Sequence, residues 1–341
     1  MTTMREVGAR AGVSAKTVSR VVTGDPHVSP ETREHVRAAI RELNYLPNLV
    51  AKAFRNGRDE LLAVAVPDIA DPFFAPMIRS IEQVAADHGV TLIVTGLGRD
   101  PSQERLHVEA LMTRQVIGLV ICPVTHDQSY LERWQGRTPI VFVDREASRL
   151  TADAILEDDR GGAYAACSHL ISYGHKRIAF IGDTLDVATT RLRHKGFITA
   201  LANGGVSPAE ELVSFGAMTS DQASEEVERL LDYANPPTAI FSSNSRCTMG
   251  VVKRLHELDR AEVALVGFGD FPMATVIRPA VTVIDQDPDR LGRAAADRIF
   301  LRHNHPDRVL RRKVTLSVDL LVRGSGELPP SPHGSRKRGK R

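Results

Sequence analysis

Between residues 61 and 268, short apolar runs alternate with stretches in which apolar residues recur every three or four positions. "LLAVAV" (61–66) reads as a buried strand. Phe74, Met77, Ile81, Val84 and Ala85 then form the stripe of a helix that ends at Gly89. "VTLIVT", a helix near 101–115, "GLVIC", a short helix and "IVFVD" follow. A second series holds a helix at 160–173, "RIAFIG", helices at 191–203 and 220–233, "TAIFS", a helix near 246–258 and "VALVGF". Strands alternating with helices predict parallel sheets covered on both faces. About ten strands are too many for one compact sheet in this length, so two α/β lobes are expected. Such folds bind ligands at the carboxyl ends of their strands, so the loops after "AVAVPD", "VFVD", "IFSSN" and "VGFGD" are expected to face one cleft.

The first fifty residues follow a helical pattern throughout. Thr3 and Glu6 make a capping box for a helix that stops at Gly12. Ser14 caps a second helix, "AKTVSRVV", which Gly24-Asp25-Pro26 ends. Ser29-Pro30 opens a third, "PETREHVRAAIREL", with proline where its missing N–H costs nothing. Val7, Val13, Val18, Val22, Val36, Ile40 and Leu43 fall at spacings that bury one face of each helix. Two short helices joined by a Gly-containing turn make a helix-turn-helix, whose second helix enters the DNA major groove. Ala15, Lys16, Ser19 and Arg20 are then expected on its exposed face. Lys16 and Arg20 would reach guanine or phosphate, and Ala15 a thymine methyl. A helical hairpin with an ordinary polar face is the alternative.

Charge favours the first of these readings. Residues 1–58 carry ten Lys/Arg against five acidic residues, and the last six, "RKRGKR", add five more cations. The chain as a whole is only +2, so residues 59–335 are net −8. Basic ends on an acidic body point to a polyanion partner for the ends alone. The three cysteines, Cys122, Cys167 and Cys247, lie far apart with no ligand spacing, so buried thiols in a reducing cytosol are expected rather than a metal site or disulfides. No run approaches the ~20 apolar residues of a membrane span, and "MTTMREVGARAGVS" lacks the apolar core of a secretion signal, so a cytoplasmic protein is expected. With no GxGxxG after a first strand, no P-loop and no nucleophile elbow, no catalytic residue, metal or cofactor is expected.

Taken together, "REVGARAGVSAKTVSRVVTGDPHVSPETREHVRAAIRELNYLPN", "VPDIADPFFAPMIRSIE", "VFVDR", "HLISYGHKRIAFIGD", "RLRHKGF", "TAIFSSN", "VALVGFGD" and "LLVRGS" resemble the lactose-repressor (LacI/GalR) family of bacterial transcription factors. The resemblance spans nearly the whole chain. It implies an all-α helix-turn-helix headpiece (1–46), a hinge helix (47–58) and an α/β, two-lobed, periplasmic-binding-protein-like effector domain with parallel sheets (59–326). Lobe 1 would comprise approximately 59–158 and 287–318, and lobe 2 approximately 159–286 and 319–326. The chain is expected to cross between lobes near Asp158–Asp159, Gln286–Pro288 and Ser317–Leu320. Residues 327–341 have no leucine heptad and are expected to form a disordered basic tail. The function implied is that of a homodimeric repressor on a near-palindromic DNA operator, answering to a sugar-like small molecule in the interlobe cleft. A solute-binding protein would share the lobes but not the DNA-binding head.

The resemblance also assigns residues. Thr3, Ser14, Ala15, Lys16, Thr17, Ser19, Arg20 and His27 would contact DNA, joined by Lys52 and Phe54 of the hinge. Phe73 and Phe74 would stack on an apolar ligand face, Asp144 would accept hydroxyl hydrogen bonds, Thr189 and Arg193 would clamp ligand oxygens, and Asn244 matches an effector-site asparagine common after the "AIF" strand. Asp270 completes the effector set. Two family carboxylates are replaced here, by Ser245 and Gly269. Their loss predicts a less negative cleft, and an effector that is less polyol-like than a neutral hexose or that carries an acidic or phosphorylated group. The segment "YLPNLVAKAFRNGR" (45–58) holds about nine potentially helical residues, too few to form a stable helix alone in water. Folding on DNA would wedge Phe54, where the family usually has leucine, between base pairs in the minor groove. Phe54→Ala is expected to weaken operator binding far more than binding to non-specific DNA, as measured by fluorescence anisotropy. Equal losses on both would favour a plain linker.

Overall fold

A computed structural model describes residues 2–22, 25–45 and 60–331. The chain divides into two units, Met1–Asp59 and Glu60–Arg341. The first holds three helices: α1 (Met4–Ala11), α2 (Ala15–Val22) and α3 (Pro30–Glu42). The Thr3–Glu6 capping box is present, and Gly12 ends α1 at φ 68°, a left-handed conformation that glycine adopts without strain. The Ser14 hydroxyl accepts from the Thr17 N–H (3.1 Å), and Ser29 caps α3 ahead of Pro30. Val7, Val18, Val21, Val28, Val36, Ala39 and Tyr45 form the core of this unit. Val13, Val22, Ile40 and Leu43 pack at its edge rather than inside it.

The second unit contains two six-stranded sheets. The strands of the first are β1 (Leu61–Val66), β2 (Thr91–Gly96), β3 (Gly118–Ile121), β4 (Ile140–Val143), β5 (Asp153–Glu157) and β11 (Lys313–Leu316). They lie in the order β11-β5-β4-β3-β1-β2 and are parallel throughout. The second sheet contains β6 (Ile178–Ile181), β7 (Val213–Ser214), β8 (Ala239–Ser242), β9 (Ala264–Phe268), β10 (Thr282–Asp285) and β12 (Asp319–Leu321). Its order is β12-β10-β9-β8-β6-β7, and it is parallel except for β12 on β10. Alternate residues of β1 serve opposite faces: Leu62, Val64 and Val66 enter one core cluster, Ala63 and Ala65 another. Burial on both faces makes "LLAVAV" an unbroken apolar run.

Helices α4 (Phe74–Asp87) and α10 (Pro288–Asn304) cover one face of the first sheet, and α5 (Pro101–Met112) with a short 3₁₀ turn (Ser129–Trp134) covers the other. In the second lobe α6 (Asp159–Ser172) and α7 (Ala188–Asn203) lie opposite α8 (Ser220–Leu231) and α9 (Ser245–Glu257). The chain passes between sheets three times: from β5 to α6, from β10 to α10 and from β11 to β12. The apolar alternation in the sequence stops at Phe268, so β10, α10, β11 and β12 lie beyond it, and β5 and β7 are missing from it. Helix α10 comes closest to α4 at Gly292, where a side chain would strike Met77 and Ser80, and Leu291, Ala295, Ala296, Ile299 and Phe300 join the same core.

The C-terminal expectation needs correction. Residues 327–331, expected in a disordered tail, are packed on the second lobe. Glu327 bonds His169 and the Thr282 hydroxyl, and the Leu328 carbonyl accepts from His175 (2.8 Å), so 327–331 is held on the second lobe by buried polar partners. Residues 332–341 and the expected hinge contacts Lys52 and Phe54 lie outside the described residues. All three cysteines are buried and unpaired, and no helix among the described residues is long and apolar enough to cross a membrane.

A Cβ on Gly292 would collide with the Met77 carbonyl and the Ser80 hydroxyl of α4. Because one of these is backbone, the collision should outweigh the ~1 kcal/mol that alanine gains over glycine in a helix. Gly292→Ala is expected to lower stability by about 1–2 kcal/mol net in urea denaturation. An unchanged or higher midpoint would show that α10 and α4 separate at no cost.

Candidate functional site

The helical unit presents a basic surface on its second helix. Lys16 and Arg20 are exposed on α2, and Ala15 is half-buried at its start. Asp25 stands between two of the expected DNA contacts, 3.6 Å from Arg20 and 3.0 Å from His27 Nδ1. Bonds from the His27 backbone N–H and ring hold its carboxyl below the ordinary range. No local pattern singles out Asp25, which orients both partners from the turn after α2. Thr3 and Thr17 take part in helix-cap hydrogen bonds, Thr3 with Glu6 and Thr17 with Ser14. Ser19 departs from expectation: it is 6% exposed, because one residue on from Val18 it falls at the edge of the core-facing side of α2.

In the two-sheet unit, six of the seven expected effector residues meet in one cleft at the carboxyl ends of the strands. Phe73, Phe74, Asp144, Thr189, Arg193 and Asn244 wall it together with Asp71, Arg145, Asp183, Ser245, Arg246 and Gln286. The Phe73 and Phe74 rings meet edge-on at 5.0 Å, with Phe74 buried in the core and Phe73 partly buried against it. Asp144 has a φ of 63°, an uncommon backbone for a non-glycine residue, and pairs with Arg145 at 3.2 Å. Asn244 caps α9 through Oδ1 (2.9 Å from the Cys247 N–H), which leaves its Nδ2 toward the cleft. Thr189 is 5% exposed in the first turn of α7, and its hydroxyl has no hydrogen-bond partner among the described residues.

Arg193 is fixed by three contacts. Nε donates to Asp159 Oδ1 (2.7 Å), Nη1 donates to the Ser243 carbonyl (2.6 Å), and the guanidinium lies 3.8 Å over the Phe268 ring. Burial pushes the Asp159 carboxyl up to about 6, against the pull of Arg193, so the pair is ionised at neutral pH and lost in mild acid. Burial, with Asp144 and Asp159 nearby, raises Glu157 well above the carboxylate range. It accepts a long bond (3.4 Å) from Gln286 Nε2.

Two ion pairs bridge the lobes across the cleft. Arg246 of α9 meets Asp71 of the β1 loop at 2.6 Å, and Arg99 of the β2 loop meets Asp183 of the β6 loop at 3.3 Å. Both arginines also donate to the Met218 carbonyl, at 2.9 Å and 2.5 Å.

One expectation is overturned. Asp270 does not face the cleft. Gly269, at φ 85°, turns the chain so that Asp270 makes a bidentate pair with Arg323 (2.8 and 2.6 Å). Asp71 and Asp183 stand on the cleft wall in addition to Asp144, each paired with an arginine, while Ser245 brings no carboxylate to it. The arrangement is one of carboxylates matched to arginines, suited to alternate donation and acceptance by hydroxyl groups.

The sequence model described as bacterial regulatory proteins of the lacI family matches residues 3–48. That of periplasmic binding proteins and the sugar-binding domain of the LacI family matches residues 59–316. The chain belongs to the LacI family. Among its relatives are the HTH-type transcriptional repressor PurR of Mannheimia succiniciproducens, 30% identical over 95% of this chain and 98% of PurR, and CytR of Escherichia coli, 28% identical over 96% and 97%. Among solved structures, the lac repressor dimer bound to operator and the anti-inducer ONPF superposes with a TM-score of 0.79 at 27% identity, covering 95% of this chain and 99% of that one. A LacI family regulator from Enterococcus faecium with bound ribose reaches 0.72 at 25% identity, covering 80% and 100%. This LacI-family cleft thus adds Asp71, Asp183, Arg145, Arg246 and Gln286 to the residues the sequence suggested. Their positions just after strands, or in the first turn of the next helix, are the only sequence signal they carry.

A buried carboxyl raised from 3.8 to about 6 holds its proton in the folded chain while the unfolded chain has lost it. Its contribution to stability therefore falls as pH rises from about 4 to about 6, by an amount on the order of 3 kcal/mol. Asp159→Asn removes this titration. Relative to that variant, the native protein should lose stability between pH 4.5 and 7 in urea denaturation. A difference independent of pH would mean that Asp159 is not neutralised by burial.

Proposed function

We propose that this LacI-family protein represses transcription by binding a near-palindromic operator as a homodimer, and that a small sugar-like molecule in the interlobe cleft alters its affinity for DNA. The observation that carries the reading is the combination in one chain of an exposed basic helix, α2 with Lys16 and Arg20, and a separate unit whose cleft is walled by paired charges. In each protomer α2 would enter a major groove, with a two-fold operator mirroring the two-fold protein. Phosphate contacts from the basic head would supply salt-dependent affinity, while Lys16 and Arg20 discriminate bases. Residues 1–46, 47–58 and 59–326 would serve as reading head, hinge and effector domain.

The cleft reading rests on its chemistry. Carboxylate–guanidinium pairs offer a hydroxylated ligand both acceptors and donors, and Phe73 offers an apolar face. The relatives named repressors, and the neighbour holding ribose, lend support to both halves of the reading. Coupling requires only that the effector prefer one of two lobe arrangements, since a ligand shifts an equilibrium by its differential affinity.

Arg20→Ala is expected to cost about 1–3 kcal/mol in operator affinity and to relax selectivity at one base pair per half-site. Anisotropy titrations against a set of single-base operator variants measure both quantities. Unchanged affinity across the whole set would remove Arg20 from the reading surface.

A further inference from the structure

The first lobe has two edges of opposite character. The effector cleft opens at the carboxyl ends of its strands. At the other edge the chain arrives from the helical unit, with Glu60 leading into β1. All six strands of this sheet are parallel, so the segments that enter β1, β4 and β11 lie along that one edge. Neighbouring strands are about 4.8 Å apart, which puts the entry to β11 about 20 Å from the entry to β1. Residues 302–313, "RHNHPDRVLRRK", hold five Lys/Arg against Asp307, in a stretch (59–335) that is net −8.

The loop before β11 is pinned to the fold. Arg298 and Arg302 of α10, paired with Asp153 at 3.4 and 2.7 Å, donate to the Arg311 and Arg308 carbonyls at 3.0 Å each. The side chains of Arg308 and Arg311 are exposed, as is that of Arg137 in the segment before β4. None of the three has an ion pair or side-chain hydrogen bond among the described residues. Arg312 beside them spends Nη1 on the Thr151 carbonyl (3.1 Å). Asp153 is already matched, and Glu60 and Asp87 precede β1 and β2 on the far side of the sheet. Asp307 is therefore left against three arginines of its own loop.

We propose that this edge of the first lobe is a second DNA-contacting surface, in which Arg137, Arg308 and Arg311 bind backbone phosphates without regard to sequence. The inference rests on reading the helical unit as a DNA-binding head. Only 14 residues separate Tyr45 from Glu60, so the chain can hold this edge no more than about 50 Å from the end of the head, however the two units are arranged. Guanidinium forks match phosphate oxygens in pairs. Among the described residues of the 305–312 loop, Val309 alone is a large apolar side chain left exposed, at 95%. That is too little for the apolar core of a protein interface, which makes a phosphate backbone the better-matched partner.

The test is an anisotropy titration of the full chain against a labelled duplex of arbitrary sequence, about 40 bp long, across about 50 to 200 mM salt. Each phosphate contact steepens the plot of log affinity against log salt by about 0.9. Arg308→Gln/Arg311→Gln should flatten the native slope by about 1–2 and lower affinity about tenfold or more at the low-salt end. Lys176→Gln/Lys195→Gln removes the same charge from exposed positions on the second lobe and should change neither quantity. The proposal is overturned if the arginine variant keeps the native slope, if the lysine variant flattens it as much, or if the native chain does not bind the duplex. Lys16→Ala/Arg20→Ala reports on the head separately. A loss there with none at Arg308 and Arg311 sinks the proposal and leaves the head's role standing, and the opposite pattern supports the proposal while counting against the head.

Discussion

One buried guanidinium organises the effector cleft. Arg193 reaches from α7 to Asp159 at the head of α6, to the Ser243 carbonyl after β8 and across the Phe268 ring at the end of β9. Two helices and two strand ends are thus held at a single point. The pair with Asp159 is almost entirely removed from water, and breaking one partner of such a pair typically costs about 3–5 kcal/mol because the other charge stays buried. Asp159 directly follows the first crossing between sheets, so the arginine on the cleft wall is one side chain away from a segment that joins the lobes.

The crossings are built to change direction sharply without leaving backbone groups unpaired. Asp158 caps α6 and Asp287 caps α10, so two of the three crossings turn from strand into helix on an aspartate. Arg290, one turn into α10, donates to the Ser317 carbonyl and ties the second crossing to the third. Gly162, in the first turn of α6, leaves no room for a side chain against Val318, Phe268 and Ile284, which brings the first crossing against the other two. Packed segments with so little free volume respond to a ligand by switching between arrangements rather than by bending gradually.

How much of this was legible in the sequence follows from what each element is made of. Strands β1, β3, β4, β6, β8 and β9 are buried on both faces, so they stand out as apolar runs between helical stripes. β10, β11 and β12 are three or four residues long, and the last two carry polar side chains at exposed positions. Nothing local distinguishes β11 and β12 from loop, and only their pairing with distant strands makes them strands, whereas β10 is a buried β-branched run that the sequence pattern could have shown. The same limit applies in the cleft. Arg193 and Asp144 belong to recognisable motifs, whereas Asp71, Arg99, Asp183 and Arg246 acquire their roles only when two lobes face each other. Asp270 and Ser19 failed for a geometric reason: a positive φ at Gly269 and a single helical step from Val18 each turned a plausible side chain away from the place its neighbours suggested.

The energetics of the bridging pairs decide what controls closure. Arg99 is 43% exposed and Arg246 25%, so each pair is a partly hydrated contact rather than a buried clamp. Pairs of that kind contribute about 0–1 kcal/mol each when exposed and modestly more when one partner is sheltered, as Asp71 is here. Driving a two-state equilibrium from 1:99 to 99:1 takes about 5.5 kcal/mol. The bridges therefore cannot lock the lobes by themselves. They set the register in which Asp71 and Arg246, or Arg99 and Asp183, come together, and they leave the larger share of the driving force to whatever fills the cleft. A ligand that bonds Thr189 and Arg193 on one lobe and Asp144 on the other supplies several charge-assisted hydrogen bonds, each worth about 1.5–3 kcal/mol. Two or three of these would outweigh both bridges, so under the proposed function the state of the lobes would depend on the effector rather than on the protein's own charges.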